Sequence, residues 1–490
     1  MTWAMVAVLA VPLGAVALSL AGGWRVARAA TVIGGVVSFA LTLVLAAAVD
    51  NGRTLHGFGS PWLRLDSLGA VFLVATGLVY AAAAVFSVGY LHADEPRPGW
   101  TAFSRRYFSL LNLFGWSLLL VPLAGGFGIL WVAVELTTIV SALLVAIDRT
   151  DAALEASWKY VLIASAGLGL ALLAVIVLYG AGTGPLGDAY VPFFGRLFGA
   201  AGHLSHDAVR LAFVLAVVGF GTKVGFVPTH TWLPDAHSEA PAPVSALLSG
   251  SLLAAALYAI LRFLQVAVAN GQARFAHHVL LVFGVVSLAL AALLVLRQRN
   301  FKRLLAYSSI EHMGVIALGI AFGSPLAVAG ALLHVITHAS AKGLAFLGSG
   351  SLLRRYDTKE VDGVRGALTG APWSGPMFLA AALALSGLPL TGVFRSEFQI
   401  VAGGFANGQY VGVALLIVLV NLAFFGVVWH AGRMVLSPAP ESERSFEVSG
   451  WMVVAMLGCL IVLVGLGFHL PGSLGHLLSD AAQRLAVPRP

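Results

Sequence analysis

The sequence predicts an all-α, polytopic membrane protein of about fourteen transmembrane helices, in two inverted five-helix repeats with the seventh and twelfth helices broken. Three observations lead there. First, 59% of the 490 residues are hydrophobic and only 10% are charged, with a mean hydropathy of +0.93; soluble domains carry about 25% charged residues. Second, apolar runs near the ~20 residues that a bilayer demands recur along the whole chain. Third, ionisable residues and prolines interrupt a few of those runs, and broken backbone at membrane depth is tolerated only where protein buries it or water lines it.

The runs fall near 3–21, 30–48, 66–90, 107–124, 127–147, 156–180, 208–229, 241–268, 277–296, 302–322, 325–350, 376–402, 409–434 and 449–470. The first has no basic n-region and no small-residue cleavage site, so it reads as an uncleaved span. The domain boundaries expected are 1–106 for helices one to three, 107–268 for a first five-helix repeat, 277–434 for a second, and 449–490 for helix fourteen and a tail. The loop at 181–207, Gly-rich with Pro185 and Pro192, reads as a surface cap. The 56 glycines suit helices that approach closely through small residues.

Lys and Arg set the orientation. Odd-numbered loops carry Arg25, Arg28, Arg97, Arg105, Arg106, Arg149, Arg297, Arg299, Lys302, Arg303, Arg354, Arg355, Lys359, Arg365, Arg433 and Arg444, and even-numbered loops only Arg53, Arg64, Arg196 and Arg274. The bias puts the odd loops in the cytoplasm and both termini outside. The basic balance is thus a topology signal, and nucleic acid is not an expected partner. The lone Cys459 reads as packing filler; one cysteine cannot ligate an iron–sulfur cluster by itself.

The most informative stretch is Gly219–Arg262. Lys223 stands in an apolar helix, and the break after it holds His230, His237, Asp235, Glu239 and the prolines 228, 234, 241 and 243. A charge at the bilayer centre costs roughly 2.5–3.5 kcal/mol on insertion scales. Glu135, in the fifth run, is the natural partner of Lys223, and such a pair can load and release a proton as it opens and closes. His334, His338 and Lys342 are spaced four apart and share a helix face, which reads as a proton relay. Zinc is the weaker reading of the two histidines, because no third ligand is placed beside them. Glu397, just past the Pro389–Gly392 interruption, ends the relay or stands as a membrane-edge acid. Lys159 snorkels to the interface or adds to the path; Glu311 and His312 extend the polar path or hold helices together; His230 is either relay or structural; Asp235, His237 and Glu239 cap helix ends and fix the break, with transport second.

The motifs FGTKVGFVPTHTWLPDAHSEAPAPVSALLSG, KRLLAYSSIEHMGVIALG, HVITHASAKGLAFLGSG and SGLPLTGVFRSEFQI, in this order over about residues 70–435, resemble the antiporter-like proton-pumping subunits of complex I, the Mrp cation/proton antiporters and membrane-bound hydrogenases. The tetrapeptide IEHM after AYSS is most similar to the hydrogenase-4 component F branch. The resemblance implies the fourteen-helix, two-repeat fold. It implies proton transfer along Glu135, Lys223, His334, His338, Lys342 and Glu397. It also exposes a departure: where relatives carry a lysine in the eighth helix, this chain reads SGSLLAAAL with Ala254, leaving Ser249, Ser251 and Tyr258 as nearby polar groups.

The implied function is proton translocation in a prokaryotic inner-membrane [NiFe]-hydrogenase-like, formate-hydrogenlyase or complex I-related assembly. Its partners would be other membrane-arm subunits and a soluble arm with iron–sulfur subunits. The chain shows no nucleotide motif and no cluster ligands, so no cofactor, resident metal or catalytic centre of its own is expected. The alternatives are an Mrp-type cation/proton antiporter subunit without redox input, and a membrane partner or scaffold of an inorganic-carbon uptake complex.

Overall fold

The computed structural model describes residues 2–49, 52–92, 99–439 and 445–487. Arg97 and Arg444 of the orientation pattern lie outside these. In chain order the helices are α1 (Thr2–Ala21), α2 (Trp24–Ala48), α3 (Ser67–His92), α4 (Trp100–Leu120), α5 (Phe127–Val145), α6 (Asp151–Leu186), α7 (Phe194–Ala200), α8 (His206–Val224), α9 (Trp232–Glu239), α10 (Ala242–Leu247), α11 (Leu253–Ala269), α12 (Ala273–Val295), α13 (Phe301–Ala321), α14 (Pro325–Tyr356), α15 (Ala367–Gly370), α16 (Ser374–Leu385), α17 (Gly392–Ala406), α18 (Tyr410–Leu436), α19 (Gly450–Phe468) and α20 (Gly472–Gln483).

Eleven helical stretches among the described residues are long and apolar enough to cross a membrane. The other three expected runs are also helical. They correspond to α8, to α14, and to the α16–α17 pair. Three charges, Asp207, Arg210 and Lys223, interrupt the first, polar residues dilute the second, and a break splits the third into helices of 12 and 15 residues. Helix starts follow local chemistry: Thr150, Ser205, Asn300, Ser324, Thr391 and Ser449 each accept a backbone N–H in the first turn of the helix they precede. With 36 residues, α6 is about 54 Å long, well beyond the ~30 Å hydrocarbon core.

One element departs from the all-α expectation. Residues Leu55–Gly57 (β1) and Ser60–Leu65 (β2) form an antiparallel hairpin, pairing Leu55 with Leu65 and His56 with Arg64. Its turn puts Phe58 and Gly59 at φ 52° and 71°, left-handed values that suit a tight hairpin turn. The strands are too short to register as a periodic run. The expected cap at 181–207 contains the end of α6 and the short α7.

Burial divides the helices. Large apolar side chains stay exposed on α6 (Leu162, Ile176), α12 (Val282) and α18 (Val418, Phe425), as a lipid-facing surface requires. By contrast residues 242–267 are buried throughout, and α13 and the middle of α14 nearly so. These three form the central axis, and they bring most of the buried ionisable side chains together. Close approach beside the axis depends on Gly219 of α8. A Cβ there would come within 2.4 Å of the Ala171 amide nitrogen of α6.

The break after α8 is closed by specific bonds. Gly225, at φ 89°, ends the helix. Trp232 Nε1 donates to the Thr222 carbonyl (2.8 Å), and the Val227 amide donates to Ser287 Oγ (3.1 Å). The break between α16 and α17 is similar: Gly387 and Leu390 take φ 71° and 79°, and Thr391 caps α17. Protein groups thus take up several of the backbone donors and acceptors that the two interruptions free.

Candidate functional site

The eighth helical run is not uniform. Between α10 and α11, Leu248–Leu252 forms a π-helical turn. Such turns displace backbone carbonyls and occur often at functional sites. This one holds Ser249 and Ser251, and Ala254 follows it, buried and apolar. Ser249 Oγ lies 2.8 Å from Ser309 Oγ of α13. Ser309 Oγ also donates to the Leu305 carbonyl at 2.9 Å, and Lys342 Nζ donates to that same carbonyl at 3.0 Å. The π-turn and the lysine of α14 are thus joined through one backbone oxygen. Ser251 Oγ and Ser308 Oγ are buried without partners among the described residues, as is Glu311 Oε2.

Towards α17 the polar groups continue. His312 Nδ1 lies 3.0 Å from His334 Nε2, and His334 Nδ1 lies 2.9 Å from Ser396 Oγ. The His338 ring sits 5.3 Å from that of His312, centroid to centroid, with both nitrogens unpartnered among the described residues. Glu397 is half-buried, and its carboxylate comes close to His312 and His334: one ligand atom from each residue lies within 4.8 Å of the other two. The sequence reading paired His334 with His338 and found no third ligand; the fold instead groups His334 with His312 of α13 and Glu397 of α17, and His338 is not part of that cluster. Glu397 also borders a cavity of about 240 Å3 lined by Ser386, Gly387, Phe398 and Asn421.

Lys223 is fully buried, but it makes no ion pair with Glu135. Its Nζ donates to the Val134 carbonyl (2.8 Å) and to Thr138 Oγ1, both on α5. Glu135 accepts from Ser165 Oγ of α6 at 3.2 Å, and its Oε2 has no partner among the described residues. The lysine thus engages α5 while the acid, itself on α5, turns to α6. From Lys223 a polar strip leads through Thr138 to Ser141, whose Oγ is 2.8 Å from the Tyr160 hydroxyl.

The remaining residues read from sequence divide by place. Lys159 is at the edge, 2.5 Å from Glu155 and 3.7 Å from Asp235, while Arg303 is 2.9 Å from Asp235. Asp235 and Glu239 do not cap helices; Glu239 pairs with Lys359 at 3.0 Å. They fasten α9 to neighbouring elements instead. His230 is buried, and its Nδ1 has no partner among the described residues. His237 is fully buried, stacked on Phe346 at 4.8 Å, and both ring nitrogens lack partners among the described residues. Lys302 was counted as a loop charge, yet it is buried and donates to the Ser238 and Ala240 carbonyls at 3.1 and 2.5 Å.

One cluster escaped sequence reasoning. Arg262 of α11 grips Asp66 with two bonds of 2.8 and 2.7 Å and adds bonds to Gln265 and Tyr258. Tyr258 in turn donates to the Pro122 carbonyl. Burial alone would raise the Asp66 carboxyl, but the Arg262 guanidinium holds it well below the usual carboxylate range. The spacing of Tyr258, Arg262 and Gln265 on one helix face was the available signal; the partner, 196 residues away, was not.

Comparisons with known proteins agree with this architecture. Residues 124–423 match the family described as NADH:quinone oxidoreductase/Mrp antiporter, transmembrane. A hydrogenase-4 component F homolog from Methylacidiphilum infernorum is 36% identical over 73% of this chain and 75% of its own length. NADH-quinone oxidoreductase subunit N of Desulforudis audaxviator is 31% identical over 88% of this chain and 90% of its own. Among solved structures, a chain of the archaeal membrane-bound sulfane sulfur reductase superposes with TM-score 0.86 at 23% identity, covering 99% of this chain and 98% of that one. A chain of the Mrp complex from Dietzia sp. gives 0.85 at 20% identity, covering 98% and 96%. The chain belongs to the NADH:quinone oxidoreductase/Mrp antiporter transmembrane family.

Proposed function

We propose that the chain is a proton-translocating subunit of a membrane-bound [NiFe]-hydrogenase-like or complex I-related assembly. It moves protons through the buried groups of α8, α13, α14 and α17 while partner subunits perform redox chemistry. The observation that carries this reading is the set of buried polar groups around Lys342: the π-turn serines and Ser309 on one side and the His312–His334 pair beside Glu397 on the other, with the Leu305 carbonyl accepting from both Ser309 and Lys342 to hold them in place while water carries the proton past it. Groups of this kind are expensive inside a bilayer and are kept for ion paths. The names of relatives support the setting: one is a hydrogenase-4 component F homolog and another a quinone oxidoreductase subunit.

In this reading fourteen segments cross the prokaryotic inner membrane, both termini lie outside, and helices four to eight and nine to thirteen form the inverted repeats. The partners are other membrane-arm subunits and a soluble arm carrying the metal centres. Glu135 and Lys223 respond to charge changes in the neighbouring subunit. Water completes the step between Lys223 and Ser251, where Ala254 offers no base. Histidine suits the α13–α14 steps because it accepts a proton at one ring nitrogen and releases it at the other.

A second reading has one observation in its favour. Lys223 is tied to α5, and the next apolar stretch separates it from the second half, so the chain would then be a membrane scaffold with two unlinked polar halves. Proton uptake by proteoliposomes holding the intact complex tests both. Lys223→Ala and Glu135→Gln abolish coupled transport under the relay reading while the subunits still co-purify. Full transport in both variants contradicts it. Sodium dependence of the same transport would point to the Mrp-type antiporter instead.

A further inference from the structure

We infer that His312, His334 and Glu397 form a binding site for a zinc-class divalent cation. One donor atom from each lies within 4.8 Å of the others. Two imidazoles and a carboxylate are a donor set that zinc takes, leaving a fourth position for water. Hard cations such as calcium and magnesium prefer all-oxygen shells.

Three details accommodate a metal at this place. The His312 Nδ1 to His334 Nε2 separation is 3.0 Å. Two nitrogens bound to one tetrahedral zinc at about 2.0–2.1 Å stand roughly 3.3 Å apart, so on binding the rings would give up their mutual hydrogen bond, part by a few tenths of an ångström and turn both lone pairs to the metal. His334 also turns its other nitrogen to Ser396 Oγ at 2.9 Å, and an outer hydrogen bond of this kind orients most metal-binding histidines. Finally, Glu397 Oε1 has no hydrogen-bond partner among the described residues.

The inference deepens the relay reading, since a cation held by these three side chains would tie up the α13–α14–α17 step. Its test is independent of transport. The purified complex is stripped with EDTA and dialysed against radiolabelled zinc chloride, and bound zinc is counted for wild type, Glu397→Gln, His312→Gln and Ser396→Ala, each checked for co-purification of all subunits. Partner subunits contribute the same background to every sample. Wild type is expected to hold one zinc more than Glu397→Gln or His312→Gln, and Ser396→Ala to bind it about 10–100-fold more weakly. X-ray absorption of the extra zinc should show nitrogen and oxygen neighbours at about 2.0–2.1 Å and no sulfur. Equal zinc in wild type and both ligand variants overturns the site, whatever their transport does. Transport that is unchanged with this zinc bound would count against the relay and leave the site standing.

Discussion

Lys342 and Ser309 donate to a single acceptor, the Leu305 carbonyl, at 3.0 and 2.9 Å. That shared oxygen lies between α13 and α14 and connects the lysine to Ser249 in the π-turn. The link explains how a chain with Ala254 in place of a basic residue still has a polar contact between its eighth and eleventh helical runs.

Ser309→Ala removes the hydroxyl from this link and leaves Lys342 in place. A net hydrogen bond is worth about 1 kcal/mol, so the coupled proton-transfer rate should fall by roughly fivefold. Dye-reported acidification of proteoliposomes, normalised to subunit content, measures it. An unaltered rate would remove the π-turn from the path.

The Asp66–Arg262 pair has a structural role. Breaking a buried pair by removing one partner costs about 3–5 kcal/mol, because the other charge stays buried alone. Arg262→Leu should therefore lower the yield of assembled subunit and its melting temperature, and Asp66→Leu added to it should restore part of the loss. Thermal unfolding monitored by size exclusion reads both. A double variant no better than the single one would show that the pair's partners, Gln265 and Tyr258, dominate.

The same pair makes a statement about acid. Because the Asp66 carboxyl is held below its unfolded value, its contribution is present above the unfolded pKa of about 3.9 and is lost as pH falls through the lower folded value. Between pH 5 and 8, wild type and Asp66→Asn should then keep a constant stability difference. Melting curves across that range check it, and a difference that closes near neutrality would mean that the Asp66 carboxyl is not held low.

Lys159 is the control. It is half-exposed and paired with Glu155 and Asp235 at the edge of the bundle, and ion pairs open to solvent contribute little. Lys159→Ala should leave proton transport and melting temperature at wild-type values. A loss of transport with the complex intact would place Lys159 in the path.

Much of this arrangement was legible in the chain. Long apolar runs gave the helices, and the prolines and glycines around 225–243 and 387–392 marked both breaks. The expense of a buried lysine or glutamate singled out Lys223, Lys342, Glu135 and Glu397. What was not legible is tertiary. Glu397 meets His312 and His334 only because the α16–α17 break re-aims it, and no local spacing records that. Asp66 finds Arg262 across 196 residues. Lys302 looked like a loop charge because it stands at the first turn of α13, yet the carbonyls after α9 bury it. The π-turn has no signature beyond a Ser-Gly-Ser sequence, and Lys223 turned to α5 backbone rather than to Glu135.

The central claim is that Lys342 passes protons between the π-turn and the histidines of α13 and α14. The measurement that tests it most directly is the proton-to-electron ratio of the intact complex in proteoliposomes, comparing wild type with Lys342→Met. The account predicts that electron transfer continues while the protons translocated per electron drop. An unchanged ratio in a fully assembled Lys342→Met complex would contradict it.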